Sequence, residues 1–353
     1  MKIKDNYLKL NIRNKRTIVT SDVHGRPDLL DKLLEKVNFS PEDILIINGD
    51  IIDKGPDSIQ MILYAERLKA QGNVYMTLGN CDKIFDELEE AFLYDYMEYR
   101  YTIVHEMLKQ LGKTRDDYSS QRELAEELRT KFEHLHNVVK DLPLMIETED
   151  YIFVHAGVDE DYMETSEHNA LNMPFFYNQP HQLEKTVVVG HFPACNFVEQ
   201  GMYHHNIKIH PNYNTIAIDG GNEVKMSGQL NGLIIEADGT LHTTFVDEYE
   251  QSMVIQSFDP GIQIPHSFTY PDYSITAFEG DEYFTYCEQD EHDGCMVKTE
   301  FIDFEAQRLK DDYTDYFHTV EAGEFVSVIQ RYTGYVLIKK NGIVGFVPEE
   351  VLE

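Results

Sequence analysis

The stretch Ile44-Leu45-Ile46-Ile47-Asn48-Gly49-Asp50-Ile51-Ile52-Asp53 decides the fold of this chain. Its apolar run over residues 44–47 is continuous rather than alternating, the pattern of a strand covered on both faces. It ends in Gly-Asp, and a carboxylate just past a buried strand lies where open α/β sheets gather their sites. On its amino-terminal side, residues 17–25 (Thr-Ile-Val-Thr-Ser-Asp-Val-His-Gly) read as a β-branched strand running into a turn. Leu30, Leu33, Leu34 and Val37 follow at helical spacing. On its carboxyl side, residues 58–69 read as a helix and residues 73–80 as a third strand ending in Gly79-Asn80. This β-α-β-α-β rhythm implies a largely parallel start to a layered α/β domain.

Five short motifs occur in order: Asp22-Val23-His24, Gly49-Asp50-Ile51-Ile52-Asp53, Gly79-Asn80, His155-Ala156-Gly157 and Gly190-His191. Each follows an apolar, strand-like run. Singly they carry little information. Together they supply Asp50 to bridge two cations, with terminal ligands from Asp22, His24, Asn80, His155 and His191. Two adjacent divalent cations activate water against phosphorus. Mixed nitrogen and oxygen ligation suits manganese first, with iron or zinc as alternatives.

The series resembles the calcineurin-like metallophosphoesterase superfamily over residues 15–247, on Ser21-Asp22-Val23-His24-Gly25, residues 49–55, Gly79-Asn80-Cys81-Asp82, His155-Ala156-Gly157-Val158, Gly190-His191 and Ile218-Asp219-Gly220-Gly221. It is most similar to the phosphoprotein phosphatase branch, found in bacterial and phage serine/threonine phosphatases and symmetrical dinucleoside tetraphosphatases. The single histidine of Gly190-His191-Phe192-Pro193 fits that branch, since many other members carry Gly-His-x-His. The resemblance implies two packed β-sheets flanked by helices. It implies Asp22, His24 and Asp50 on a first metal, and Asp50, Asn80, His155 and His191 on a second, with a metal-held hydroxide attacking phosphorus in line.

The chain departs from that branch at three places. Cys81 stands where a histidine would protonate the leaving alcohol, and a thiol is a poorer donor near neutral pH. Lys54 replaces an arginine after Asp53, so it can neutralise a phosphate but not grip it bidentately. Residues 156–190 hold no arginine, only Lys185. Arg26 is the nearest substitute and Arg100 a more distant one, while Asp53 remains to orient a donor. Without both arginine forks a phosphate monoester dianion should bind weakly, and a diester or nucleotide polyphosphate should suffer less.

Residues 83–139 are polar, helix-prone and free of proline, as in a helical insertion serving as a lid or packing cap without chemistry. His204, His205 and His210 are expected in a solvated loop. Beyond residue 250 short β-rich runs replace the α/β rhythm. The expected organisation is α/β (an α+β sandwich) over residues 1–250, a β-rich segment over 251–310, and a small barrel over 311–353. The ending Gly342-Ile343-Val344-Gly345-Phe346-Val347-Pro348 resembles a bacterial SH3-like barrel, with residues 277–284 a degenerate second copy.

The 353 residues carry a net charge of −33, which disfavours long nucleic acids and anionic membrane surfaces. No apolar run approaches the ~20 residues of a membrane span, and the start lacks a secretion signal, so a cytoplasmic protein is expected. Four scattered cysteines do not make a disulfide framework. The functional expectation is a dimetal phosphoester hydrolase of the serine/threonine phosphatase type. A phosphodiesterase or dinucleoside polyphosphate hydrolase is the alternative. A different class is a low-turnover metal-binding scaffold that meets a protein partner through its carboxy-terminal barrels.

Overall fold

A computed structural model describes residues 1–197, 201–289 and 292–353. The chain divides into two compact units, Met1–Ala194 with Ile207–Val224 and Gln229–Val246, and Cys195–Asn206 with Lys225–Gly228 and Asp247–Glu353. The first unit holds, in order, β1 (Tyr7–Lys9), β2 (Thr17–Thr20), α1 (Pro27–Lys36), β3 (Ile44–Asn48), α2 (Ser58–Lys69), β4 (Val74–Thr77), α3 (Leu93–Tyr99), α4 (Ile103–Leu111), α5 (Gln121–Lys131), α6 (Glu133–Val139), β5 (Met145–Glu147), β6 (Tyr151–Val154), α7 (Glu167–Asn172), β7 (Thr186–Val189), β8 (Lys208–Ile209), β9 (Thr215–Ala217), β10 (Leu230–Ile235) and β11 (Leu241–Val246).

These strands form two sheets, β11-β10-β2-β3-β4 and β1-β5-β6-β7-β9-β8. In the first, β2, β3 and β4 run parallel, and the β10–β11 hairpin adds antiparallel to β2. In the second, β6, β7 and β9 run parallel. One core lies between them: Val19, Ile46 and Leu233 from the first sheet pack with Ile146, Phe153, Val188 and Ile216 from the second. Helix α1 closes the outer face of the first sheet, against β10 and β11, with Leu29, Leu30, Leu33 and Leu34 buried. Pro at its first position suits a helix start, where the missing N–H has no partner to lose.

Asn48, the polar end of the β3 run, ties the two sheets. Its Nδ2 donates to the carbonyls of Val154 on β6 (2.9 Å) and Val188 on β7 (3.1 Å), and its Oδ1 accepts from the Thr77 hydroxyl on β4 (2.9 Å). The tie lies at the carboxyl ends of all four strands.

The second unit is all β. Glu250–Met253 pairs with Phe325–Tyr332, which continues through Tyr335–Lys340 to Ile343–Pro348 as an antiparallel sheet. The division expected at residue 310 is not a boundary here. Ser267–Phe268 pairs with Tyr313–Thr314, and Phe268, Cys287 and Phe301 share one core with Tyr313, Leu337 and Phe346. A short strand cannot bury both faces by itself, so strands on either side of residue 310 pack together. Among the described residues no helix is long and apolar enough to cross a membrane.

Replacing Asn48 by Ala strands two buried carbonyls and a hydroxyl. The expected cost is about 2–4 kcal/mol. At about 2–4 °C per kcal/mol for a chain of this size, thermal melting should fall by roughly 5–15 °C. An unchanged melting temperature would contradict the bridging role.

Candidate metal centre

Every motif residue stands just past the carboxyl end of a parallel strand: Asp22 and His24 after β2, Asp50 after β3, Asn80 after β4, His155 after β6 and His191 after β7. Backbone bonding carries the β2–β3 ladder into these turns. The N–H groups of Asp22, His24 and Gly25 donate to the carbonyls of Gly49, Asp50 and Ile51 at 3.1, 3.1 and 2.8 Å. Asp22, His24, Asp50, Asp53, Lys54 and His191 all lie at positive φ, between +49° and +68°. For non-glycine residues this costs on the order of 1–3 kcal/mol each and marks a site that the surroundings impose. Glycine is required beside them. A Cβ on Gly49 would lie 2.4 Å from His155 Nδ1, and one on Gly79 would lie 2.1 Å from the Asp50 nitrogen.

The structure brings the six expected ligands together. His24 donates from Nδ1 to the Ile52 carbonyl (3.1 Å), which leaves Nε2 as an acceptor 3.8 Å from Asp22 Oδ1 and 3.9 Å from Asp50 Oδ2. His155 donates from Nδ1 to the Asn48 carbonyl (3.1 Å), so its Nε2 faces Asn80 Oδ1 at 3.1 Å and Asp50 Oδ1 at 3.4 Å. His191 Nδ1 lies 2.8 Å from the same Asn80 oxygen, and the His191 N–H donates to Asp22 (3.1 Å to Oδ2). Asp50 Oδ1 accepts the Cys81 N–H (2.8 Å), while its Oδ2, buried, accepts no hydrogen bond among the described residues.

Burial dominates the electrostatics. It pushes the Asp22 carboxyl up to about 8, helped by the Asp50 charge. It raises Asp53 and Asp219 well above the usual carboxylate range, Asp219 also through Asp22. Burial would raise Asp50 too, but His155, Lys54 and His24 hold it below the ordinary value. Burial takes His24 and His191 down to about 3, with Lys54 acting on the first and His155 on the second. The Cys81 thiol is pushed up by burial and by Asp50.

These donors fit divalent cations. Imidazole nitrogens whose other N–H is spent on a backbone carbonyl meet amide and carboxylate oxygens, acceptor against acceptor, around an orphaned carboxylate oxygen. A divalent cation fits that arrangement. Lys54 already brings some positive charge: its Nζ lies 3.1 Å from His24 Nε2 and 3.8 Å from Asp50 Oδ2. Ligand atoms of Asp22, Asp50 and His155 lie within 4.8 Å of one another, and so do those of His24, Asp50 and Cys81. Asp50 belongs to both groups.

Of the other expected residues, Asp53 accepts the Ile103 N–H at Oδ1 (2.7 Å), so one oxygen serves the helical insertion. Arg26 is corrected. Its Nε and Nη2 grip Asp28 (2.9 and 2.7 Å) and its Nη1 meets Glu223 (2.5 Å), so carboxylates take up the fork expected to face phosphate. The solvated loop is corrected for His205, which is fully buried with Nε2 2.7 Å from the Ser227 hydroxyl.

Two residues beyond the expected set hold the ligands, and a third is electrostatically coupled to Asp22. Asp82 accepts three backbone N–H bonds, from Asp50 (3.0 Å), Ile51 (2.9 Å) and Gly79 (2.8 Å), and so locks two ligand turns together. Asn48 fixes the His155 ring, and Asp219, after β9, turns back to its own loop at Gly221. The signals in sequence were a polar residue closing an apolar run and two further carboxylates just past strands.

Two outcomes follow. Asp82→Asn turns an amide donor toward N–H groups, and Mn²⁺ affinity by calorimetry should fall about 10–100-fold; an unchanged affinity would refute the locking role. Because the raised Asp22 carboxyl holds a proton below about pH 8, cation binding must displace it. Affinity should rise by about tenfold per pH unit between pH 6 and 8 with proton release, and a flat profile would contradict this.

The chain spans 23% of the length of a bis(5'-nucleosyl)-tetraphosphatase, symmetrical, of Pectobacterium atrosepticum, with 42% identity over 67 residues, 19% of this chain. A serine/threonine protein phosphatase from Saccharomyces cerevisiae superposes at 13% identity and TM-score 0.45, over 70% of this chain and 87% of that one. A metallophosphoesterase from Sphaerobacter thermophilus does so at 15% identity and TM-score 0.39, over 66% and 88%. The sequence profile described as calcineurin-like phosphoesterase matches residues 15–218, more than half of the chain. With the ligand turns at the strand ends of two packed sheets, the chain belongs to the calcineurin-like phosphoesterase family.

Proposed function

We propose that the protein is a two-metal phosphoester hydrolase that prefers a phosphodiester or a dinucleoside polyphosphate to a phosphomonoester dianion. The observation that carries the hydrolase reading is the buried Asp50 Oδ2, without a hydrogen bond among the described residues, with Asp22, His24, Asn80, His155 and His191 gathered around it. Asp22, His24 and Asp50 would hold one cation, and Asp50, Asn80, His155 and His191 the other. When bound, such a pair lowers the pKa of water and neutralises phosphoryl oxygens. Manganese remains the first choice among metals.

The chain's own residues set the substrate preference. Lys54 offers a single ammonium beside Asp50, enough to neutralise one phosphoryl oxygen but not to grip two. Arg26 is held by Asp28 and Glu223, and Arg100 is exposed at the end of α3, so the arginine grip of a dianion is not replaced. Each missing charge-assisted hydrogen bond is worth roughly 1.5–3 kcal/mol. Cys81 keeps its proton at Sγ, because burial and the neighbouring Asp50 disfavour the thiolate, and is a weak acid for an alkoxide leaving group. A leaving group that departs as a stable anion, such as an aryl oxide or a nucleotide phosphate, needs less help. The serine/threonine phosphoprotein reading keeps the same metals and requires an alcohol to leave from this cysteine. That disfavours it.

Aryl phosphate, bis-aryl phosphate and a symmetrical dinucleoside tetraphosphate, each with Mn²⁺, test the ordering. The diester or the dinucleotide should be hydrolysed with at least tenfold higher kcat/KM than the monoester, and a clear monoester preference would overturn it. Asp50→Asn should reduce kcat by 10³ or more; retained turnover, or no cation-dependent turnover in the parent protein, would favour the scaffold class instead.

A further inference from the structure

A cavity of about 670 Å³ opens beside the metal centre. Asp53, Asn80 and Cys81 line it together with Phe92 and Tyr96 of the helical insertion. Lys83, Glu87 and Glu167 are the charged side chains elsewhere on its wall. The expectation of a lid without chemistry does not account for how tightly that insertion is stitched to the metal loop. Tyr101 O accepts the Lys54 N–H (2.7 Å), Asp53 Oδ1 accepts the Ile103 N–H (2.7 Å), and the Glu106 carboxylate accepts the N–H groups of Ser58 and Ile59 (2.7 and 3.0 Å). Glu106 thereby caps the amino terminus of α2 with negative charge, where the helix dipole favours it. Tyr96, on α3 just before these ties, is held in a fixed relation to Asp53 and Lys54.

The Tyr96 ring is half-buried, and its hydroxyl makes no hydrogen bond among the described residues. Tyr96 shares the cavity wall with Asp53, Asn80 and Cys81 of the metal centre, and burial raises its phenol above the ordinary range. A phenol brought to the wall of a cavity without a protein partner is a donor kept for what enters the cavity.

We propose that Tyr96 is a phosphate-contacting residue of this site: its hydroxyl donates to a phosphoryl oxygen on the Cys81 side, with Lys54 the opposing cation. This rests on the phosphoesterase reading and deepens it by naming a neutral donor that serves where the family's branch uses an arginine. A neutral phenol suits a singly charged diester phosphoryl group better than a dianion, in keeping with the acidic field of a chain at −33.

Tyr96→Phe removes only that hydroxyl and keeps the ring, so melting temperature and Mn²⁺ affinity should stay within error and within twofold. On Mn²⁺-loaded protein, the dissociation constant for inorganic phosphate by calorimetry should rise tenfold or more, and KM for bis-aryl phosphate should rise by a similar factor. Parent-like phosphate affinity and KM in Tyr96→Phe, with the parent still active, would overturn the Tyr96 role and leave the hydrolase reading standing. Failure of the parent protein with Mn²⁺ both to bind phosphate and to hydrolyse bis-aryl phosphate would overturn both; if it hydrolyses the diester without measurable phosphate binding, the KM arm alone decides for or against Tyr96. If the parent binds phosphate but turns nothing over, the phosphate arm alone decides for or against Tyr96.

Discussion

The interaction on which the rest depends is the crowding of acceptors around Asp50. One of its oxygens takes the Cys81 N–H, and the other, although buried, takes no hydrogen bond among the described residues. The imidazoles that face it have already spent an N–H on the carbonyls of Ile52 and Asn48. Exposed to water, such an arrangement would be harmless. Inside a protein, where unpaired polar groups cost about 1–3 kcal/mol and unpaired charges more, it persists because the fold forces it and because positive charge relieves it.

The fold forces it in layers. Two sheets direct the carboxyl ends of their parallel strands toward one place, and Asn48 pins those ends to each other. The turns beyond the strands take left-handed conformations at Asp22, His24, Asp50 and His191, which local preference would not choose. Asp82 binds the Asp50 and Gly79 turns with three N–H bonds, and the insertion binds the Asp53–Lys54 turn. Local strain is thus set against a buried hydrogen-bond network, the balance expected where geometry serves chemistry.

Much of this was legible in the sequence because it is written in short range. A continuous apolar run such as residues 44–47 declares a buried strand, and a ligand just past it declares the strand's carboxyl end. The gathering of Asp22, His24, Asp50, Asn80, His155 and His191 was read from those local signals in a fixed order, and the two packed sheets from the resemblance to the calcineurin-like phosphoesterases. What long range decides was not legible. Arg26 looked free to meet phosphate because Glu223, 197 residues away, takes its Nη1 only in the folded chain. His205 looked solvated because its partner Ser227 is 22 residues on. Tyr96 carried no pattern at all, since a tyrosine on a charged amphipathic helix reads as surface. The β-rich end looked like successive modules because core sharing between Phe268 and Phe346 leaves no mark on either segment alone.

The metal-holding half of the site and its substrate-gripping half have different standing. For the first, the structure brings all six proposed ligands together, with Asp82 and Asn48 fixing their turns. The second departs from the branch it resembles, with Lys54 where that branch has an arginine and Cys81 where it has a histidine, and Tyr96 is proposed to serve there. Both halves require cations on either side of Asp50. Anomalous diffraction from crystals grown with Mn²⁺ tests that most directly. The account predicts two peaks roughly 3.5–4 Å apart with Asp50 between them, one reached by Asp22 and His24, the other by Asn80, His155 and His191. A single peak, or peaks away from Asp50, would contradict it.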